Sequence, residues 1–142
     1  MKLADIIFIV VGCGLLAAIL IPTSGSGTSA ETSITKVEMA QAAAALFIYH
    51  QEYGTLPAEN RNAKLVEILE GNNPRKYKFY ILDRAKSKTS EFIDGWGNPL
   101  AFKRTATGML MRSAGKDGIF YTKDDVTREF QSPQKTNSGS TP

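Results

Sequence analysis

Residues 6–21 run without a single charged side chain, and no other stretch of this 142-residue chain limits its possible folds so strongly. At a helical rise of about 1.5 Å per residue the run spans roughly 24 Å, close to a hydrocarbon core of about 30 Å. It therefore predicts a transmembrane helix over residues 1–22 that stands apart from any globular core. Only Lys2 and the chain's amine precede it, and no basic residue follows Pro22 until Lys36, a bias that keeps the N-terminus cytoplasmic and places the remainder outside. A secretory signal peptide is the competing account, with Thr28-Ser29-Ala30 as its cleavage site. Asp5 argues against it, because an acid at that place is foreign to a signal sequence.

The remaining residues suffice for one small domain. Charged residues make up 22% of the chain and its formal net charge is +3, with no basic tract of the kind that binds nucleic acid. Its one cysteine, Cys13, lies in the apolar run, so neither an intrachain disulfide nor a thiolate zinc site can form. With one histidine, His50, and no nucleophile placed beside a base, nothing points to an enzyme.

Asp5 needs explanation. A carboxylate in a membrane segment costs about 2.5–3.5 kcal/mol at the helix centre and less near the interface, unless it is paired. It either snorkels to the headgroups or meets a cation. The row LADIIFIVVGCGLLAAILIP, residues 3–22, resembles the N-terminal helix of type IV pilins and type II secretion pseudopilins, with Gly14, Leu16, Ala17, Ala18, Ile19, Ile21 and Pro22 at matching places. Asp5 stands where that family has a glutamate that pairs with the N-terminal amine of a neighbouring subunit. The resemblance thus implies that Asp5, Met1 and Pro22 belong to an assembly element, with Met1 of a second chain supplying the amine. Two departures stand out. Asp is one methylene shorter than Glu, and Met1 occupies the place of the mature chain's first residue, usually phenylalanine, where family members carry a removable basic leader. The true start then lies upstream, or the protein assembles unprocessed.

Residues 23–30 form a Gly/Ser linker, and a head domain is expected over residues 31–130. From about Glu31, the residues Ile34, Val37, Gln41, Ala44, Ala45 and Ile48 recur at helical spacing, predicting an amphipathic helix to about Tyr53 that Gly54 and Pro57 stop. Its alanines either let the helix lie close on its own sheet or let it approach a neighbouring subunit. His50, near the helix end, reads as structural. A short helix is expected over residues 62–70. Strands are expected over residues 77–82, 91–93, 100–104 and 109–112, joined as an antiparallel meander. The fold class is therefore α+β: a membrane helix, then an amphipathic helix packed on a small antiparallel sheet.

DGWGNPL, residues 94–100, closely resembles the motif that opens the sheet in general secretion pathway protein G and related pseudopilins. On its own residues it reads as two tight turns, Asp94-Gly95 and Gly97-Asn98-Pro99, around Trp96, which covers the end of the core. Carbohydrate stacking on Trp96 is the alternative. Asp117, Asp124 and Asp125 then gather within nine residues around Gly118. Calcium takes six to eight oxygens, and such a loop either supplies some of them or is a turn with solvated acids. The spacing is not that of an EF-hand. Resemblance to the C-terminal calcium loop of the protein G pseudopilins implies that these three aspartates hold calcium. Residues 131–142 read as a disordered tail.

Taken together, the resemblance implies a self-assembling pseudopilin or pilin-like subunit of a type II secretion or type IV pilus-like machine. Its partners would be further copies, other pseudopilins, the inner-membrane assembly platform and the lipid bilayer. It would sit in the bacterial inner membrane with its head in the periplasm or in a surface filament. A monomeric, membrane-tethered binding or adhesion module is the alternative.

Overall fold

The computed structural model describes residues 29–83 and 88–133. Residues 1–28, with Met1, Asp5, Pro22, the expected membrane helix and most of the linker, lie outside the described residues, as do residues 134–142 of the expected tail. Among the described residues no helix is long and apolar enough to cross a membrane.

Two helices precede a three-stranded sheet: α1 (Ala30–Tyr53), α2 (Asn62–Leu69), β1 (Ala101–Arg104), β2 (Gly108–Ser113) and β3 (Val126–Gln131). The sheet is an antiparallel meander in the order β1-β2-β3, with Phe102 opposite Met111 and Met109 opposite Phe130. The α+β class and the meander thus hold. The long helix begins where Ser29 caps it, its Oγ accepting from the Thr32 amide at 3.2 Å. It ends at Gly54, whose φ of +70° lets its amide reach the His50 carbonyl at 2.8 Å. The core is built from Met39, Leu46, Leu65, Val66, Leu69, Phe92, Phe102, Met109, Met111 and Phe130, so α1, α2 and one face of the sheet all contribute.

Two expected strands fail and one strand appears that was not expected, each for an identifiable reason. Residues 77–82 alternate like a strand but form none. The amides of Phe79 and Tyr80 both donate to the Leu69 carbonyl, at 2.8 and 3.1 Å, and Asn73 grips the Ile68 and Tyr77 carbonyls at 2.8 and 2.6 Å. This segment therefore closes the end of α2 and buries Phe79 and Leu82 without joining the sheet. Residues 91–93 make only an isolated bridge, Ile93 to Pro99. Here the buried Asn62 side chain stands in for a neighbouring strand: it accepts from the Phe92 amide at 2.8 Å and donates to the carbonyls of Phe92 and Leu100 at 2.8 and 2.9 Å. The strand β3 was not expected, because Thr127, Arg128 and Glu129 are exposed and only Phe130 in that stretch is buried.

The first half of the stripe read as the packing face of α1 looks outward, whereas Ala45 is buried and Ile48 packs against the core. The face on the core is Thr35, Met39, Ala42, Leu46 and Tyr49, also spaced by three and four, with Ala43 and Ala45 beside it. Ile34 remains 48% exposed and Val37 43%, Gln41 is exposed, and Ala44 and Ile48 are half-buried. Of the stripe only Ala45 is buried. A helix that is apolar on two sides carries no periodicity signal that tells one side from the other.

Candidate functional site

The end of the head at which α1 begins gathers the 94–99 motif and the 113–126 loop. Asp94 is the centre. It is 3% exposed; its Oδ1 accepts from the amides of Trp96 and Asn98 at 3.0 and 2.8 Å, and its Oδ2 accepts from the Ser113 hydroxyl at 2.6 Å. The Ser113 Oγ in turn accepts from the Gly115 amide at 3.1 Å. One carboxylate thereby ties the turn to the mouth of the acidic loop, and such charge-assisted bonds are strongest where water is excluded.

Gly95 joins this end to the helix. Its amide donates to Thr35 Oγ1 at 2.9 Å, while that hydroxyl donates to the Glu31 carbonyl at 2.8 Å. A Cβ on Gly95 would stand 2.2 Å from the Glu31 carbonyl oxygen, so only glycine fits against the first turn of α1. Gly97 adopts φ +88°, as the second turn requires. Trp96 is half-buried and lies outside the core cluster, to which Phe92 belongs as a fully buried side chain. The expectation that Trp96 covers the core is thus corrected: with its backbone pinned by Asp94, its ring lies at the surface of the turn.

The acidic loop spends its carboxylates on its own backbone. Asp117 Oδ1 accepts from the Ile119 amide at 2.8 Å, and Asp124 Oδ2 accepts from the Asp117 amide at 3.0 Å while its Oδ1 accepts from the Thr122 hydroxyl at 2.6 Å. That hydroxyl and the Asp117 amide hold the Asp124 carboxyl down to about 2, against an ordinary 3.8. Asp125 accepts from the Tyr121 amide at 2.9 Å and pairs with the Arg112 guanidinium. Burial pushes the Asp125 carboxyl up, but Arg112 and the amides of Tyr121 and Thr122 outweigh it and leave it low. The guanidinium also lies 4.7 Å from the centre of the Tyr121 ring. Calcium would need several of these oxygens aimed at one point. Among the described residues no three His, Cys, Asp or Glu side chains form such a group. In this arrangement the Arg112 guanidinium is the cation that Asp125 meets.

At the other end of α1 a polar cleft of about 160 Å³ is lined by His50, Thr55, Arg104, Thr107 and Ser132 among others. Arg104 is committed there to the Pro57 and Leu56 carbonyls. Of the residues singled out from sequence, Asp94 through Pro99 and the three loop aspartates thus come together at one end, and His50 lies at the opposite end. Sequence reasoning missed Asn62, Thr35, Ser113 and Arg112. An asparagine opening a helix, or a serine closing a strand, carries no sign of the distant backbone that it will bind.

No family model, no curated protein and no solved structure matches this chain.

Proposed function

We propose that the chain is a pilin-like structural subunit, held in a membrane by residues 6–21 and self-assembling through α1, with the head described above projecting on the far side. The observation that carries this reading is the set of apolar residues that α1 leaves exposed. Ile34 and Val37 stand open to solvent at 48% and 43%, and Phe47, further round the helix, at 44%, while the face of Met39, Ala42 and Leu46 is already packed on its own core. A lone exposed apolar side chain is ordinary, but a helix with apolar residues left over along its outer side has the form of one made to pack on a neighbour. The resemblance of residues 3–22 to the pilin helix and of residues 94–100 to the pseudopilin motif supports the same reading. So does Asp5, a carboxylate that assembly would pair with an amine. A bacterial inner membrane, and a secretion or pilus-like machine as the setting, belong to this proposal. Calcium belongs to it only as a ligand that would have to displace Arg112 from Asp125.

The test is cross-linking of the full chain in membranes. Asp5→Ala and Val37→Lys are each expected to reduce cross-linked oligomers at least tenfold while leaving the chain membrane-bound. Oligomers unchanged by both substitutions would favour the monomeric tethered module instead.

A further inference from the structure

Three consecutive large apolar residues at the tip of the acidic loop face water: Ile119, Phe120 and Tyr121, the last at 83% exposure. Tyr121 also adopts φ +72°, a left-handed conformation that a bulky side chain takes only at a cost. The strain is held in place by the Asp125 carboxylate on its amide and by Arg112 over its ring. The loop thus fixes an aromatic ring outward instead of letting it fold onto the head. Around it, the carboxylates of Asp117, Asp124 and Asp125 turn back to bind the loop's own amides, the Thr122 hydroxyl and Arg112, whereas Lys116 and Lys123 stay exposed on either side.

The position of this tip decides what it meets. The Asn98 side chain lies 3.5 Å from the Gly115 carbonyl, and Gly95 abuts the Glu31 backbone, so the loop, the 94–99 turn and the first turn of α1 form one end of the head. The chain enters at that end. Only residues 22–28 separate Ser29 from the apolar run ending at Ile21, and seven residues span at most about 25 Å when fully extended. If residues 6–21 span a bilayer, the tip is tethered within reach of the headgroup layer.

We infer that the 119–121 tip docks in the lipid interface beside the chain's own membrane helix. Its isoleucine and aromatic rings enter the boundary between headgroups and acyl chains, where tyrosine is favoured, and Lys116 and Lys123 meet lipid phosphates. The inference rests on the membrane-anchor reading proposed above. It goes beyond it by giving the head a seat on the bilayer, an orientation it would keep before joining an assembly.

The experiment uses the full chain with Cys13→Ser, reconstituted in phosphatidylethanolamine and phosphatidylglycerol vesicles. Nitroxide labels are attached to Ile119→Cys, Lys103→Cys or Val11→Cys, and collisions with oxygen are compared with those with a water-soluble nickel chelate. The expected result is a several-fold higher ratio of oxygen to nickel collisions at positions 119 and 11 than at position 103. A lipid-exposed position 11 with a water-exposed position 119 overturns the docking and leaves the anchor standing. An aqueous position 11 overturns both. Spin-spin broadening at position 119 that vanishes on dilution with unlabelled chain assigns the tip to a second copy and also overturns the inference.

Discussion

The 94–99 turn and the 113–126 loop are both organised by aspartates that accept from backbone amides, yet they belong to different physical regimes. Asp94 is buried, and the donors it satisfies come from its own turn and from Ser113, nineteen residues along the chain. Asp124 is exposed, and its partners, Asp117 and Thr122, lie within its own loop. Losing the buried acid strands donors away from water, whereas losing the exposed one exchanges protein partners for solvent. The difference teaches that the acid visible as part of a sequence motif holds the head together, while of the clustered acids Asp117 and Asp124 hold a local shape and only Asp125 reaches out of the loop, to Arg112 of β2.

The comparison breaks most readily at Asp94. Asp94→Ala leaves the amides of Trp96 and Asn98 and the hydroxyl of Ser113 without their acceptor, and is expected to cost about 3 kcal/mol in urea unfolding of the full chain in detergent. A loss as small as that of an exposed substitution would erase the distinction. A smaller effect is expected on acidification. Because the Asp124 carboxyl is held at about 2 in the folded loop against 3.8 when free, its contribution is fully present above 3.8 and is lost as pH falls through about 2. The Asp117 amide resonance is accordingly expected to titrate with a midpoint near 2; a midpoint near 3.8 would show that the bond does not form. The smallest effect is expected from calcium, which the family resemblance implies for Asp117, Asp124 and Asp125: an ion that displaces Arg112 from Asp125 raises the melting temperature relative to chelator. Coinciding melting temperatures would remove calcium from the proposal.

How far the fold was legible follows the same division between local and distant causes. The long helix and its stop at Gly54, the short helix, the first two strands and the turns at Gly97 and Gly118 arise from propensity, capping and backbone angles, all of which neighbouring residues declare. What could not be read depended on partners far along the chain. Residues 77–82 alternate as a strand does, but the amides of Phe79 and Tyr80 were taken by the Leu69 carbonyl and those of Tyr77 and Leu82 by the Asn73 and Glu70 side chains. Residues 91–93 were paired by an Asn62 side chain in place of a strand. The outer stripe of α1 was legible as a stripe, but which of two apolar sides would meet the sheet depended on the shape of that sheet. For the site, the aspartates could be located while the function of each could not, since Arg112, Ser113 and Thr35 become their partners or neighbours only after folding.

The packing of α1 against β3 joins the first element of the head to the last. On a ribosome adding roughly 5–20 residues per second, the 78 residues between Tyr53 and Gln131 take on the order of ten seconds to appear. During that interval α2 and Phe79 come to cover part of the inner side of the helix, but the part that β3 will cover and the outer Ile34 and Val37 stay open. The newborn chain therefore depends on some temporary cover for α1, and a substitution that delays β3 would be felt first as loss during biogenesis rather than as a weaker finished protein.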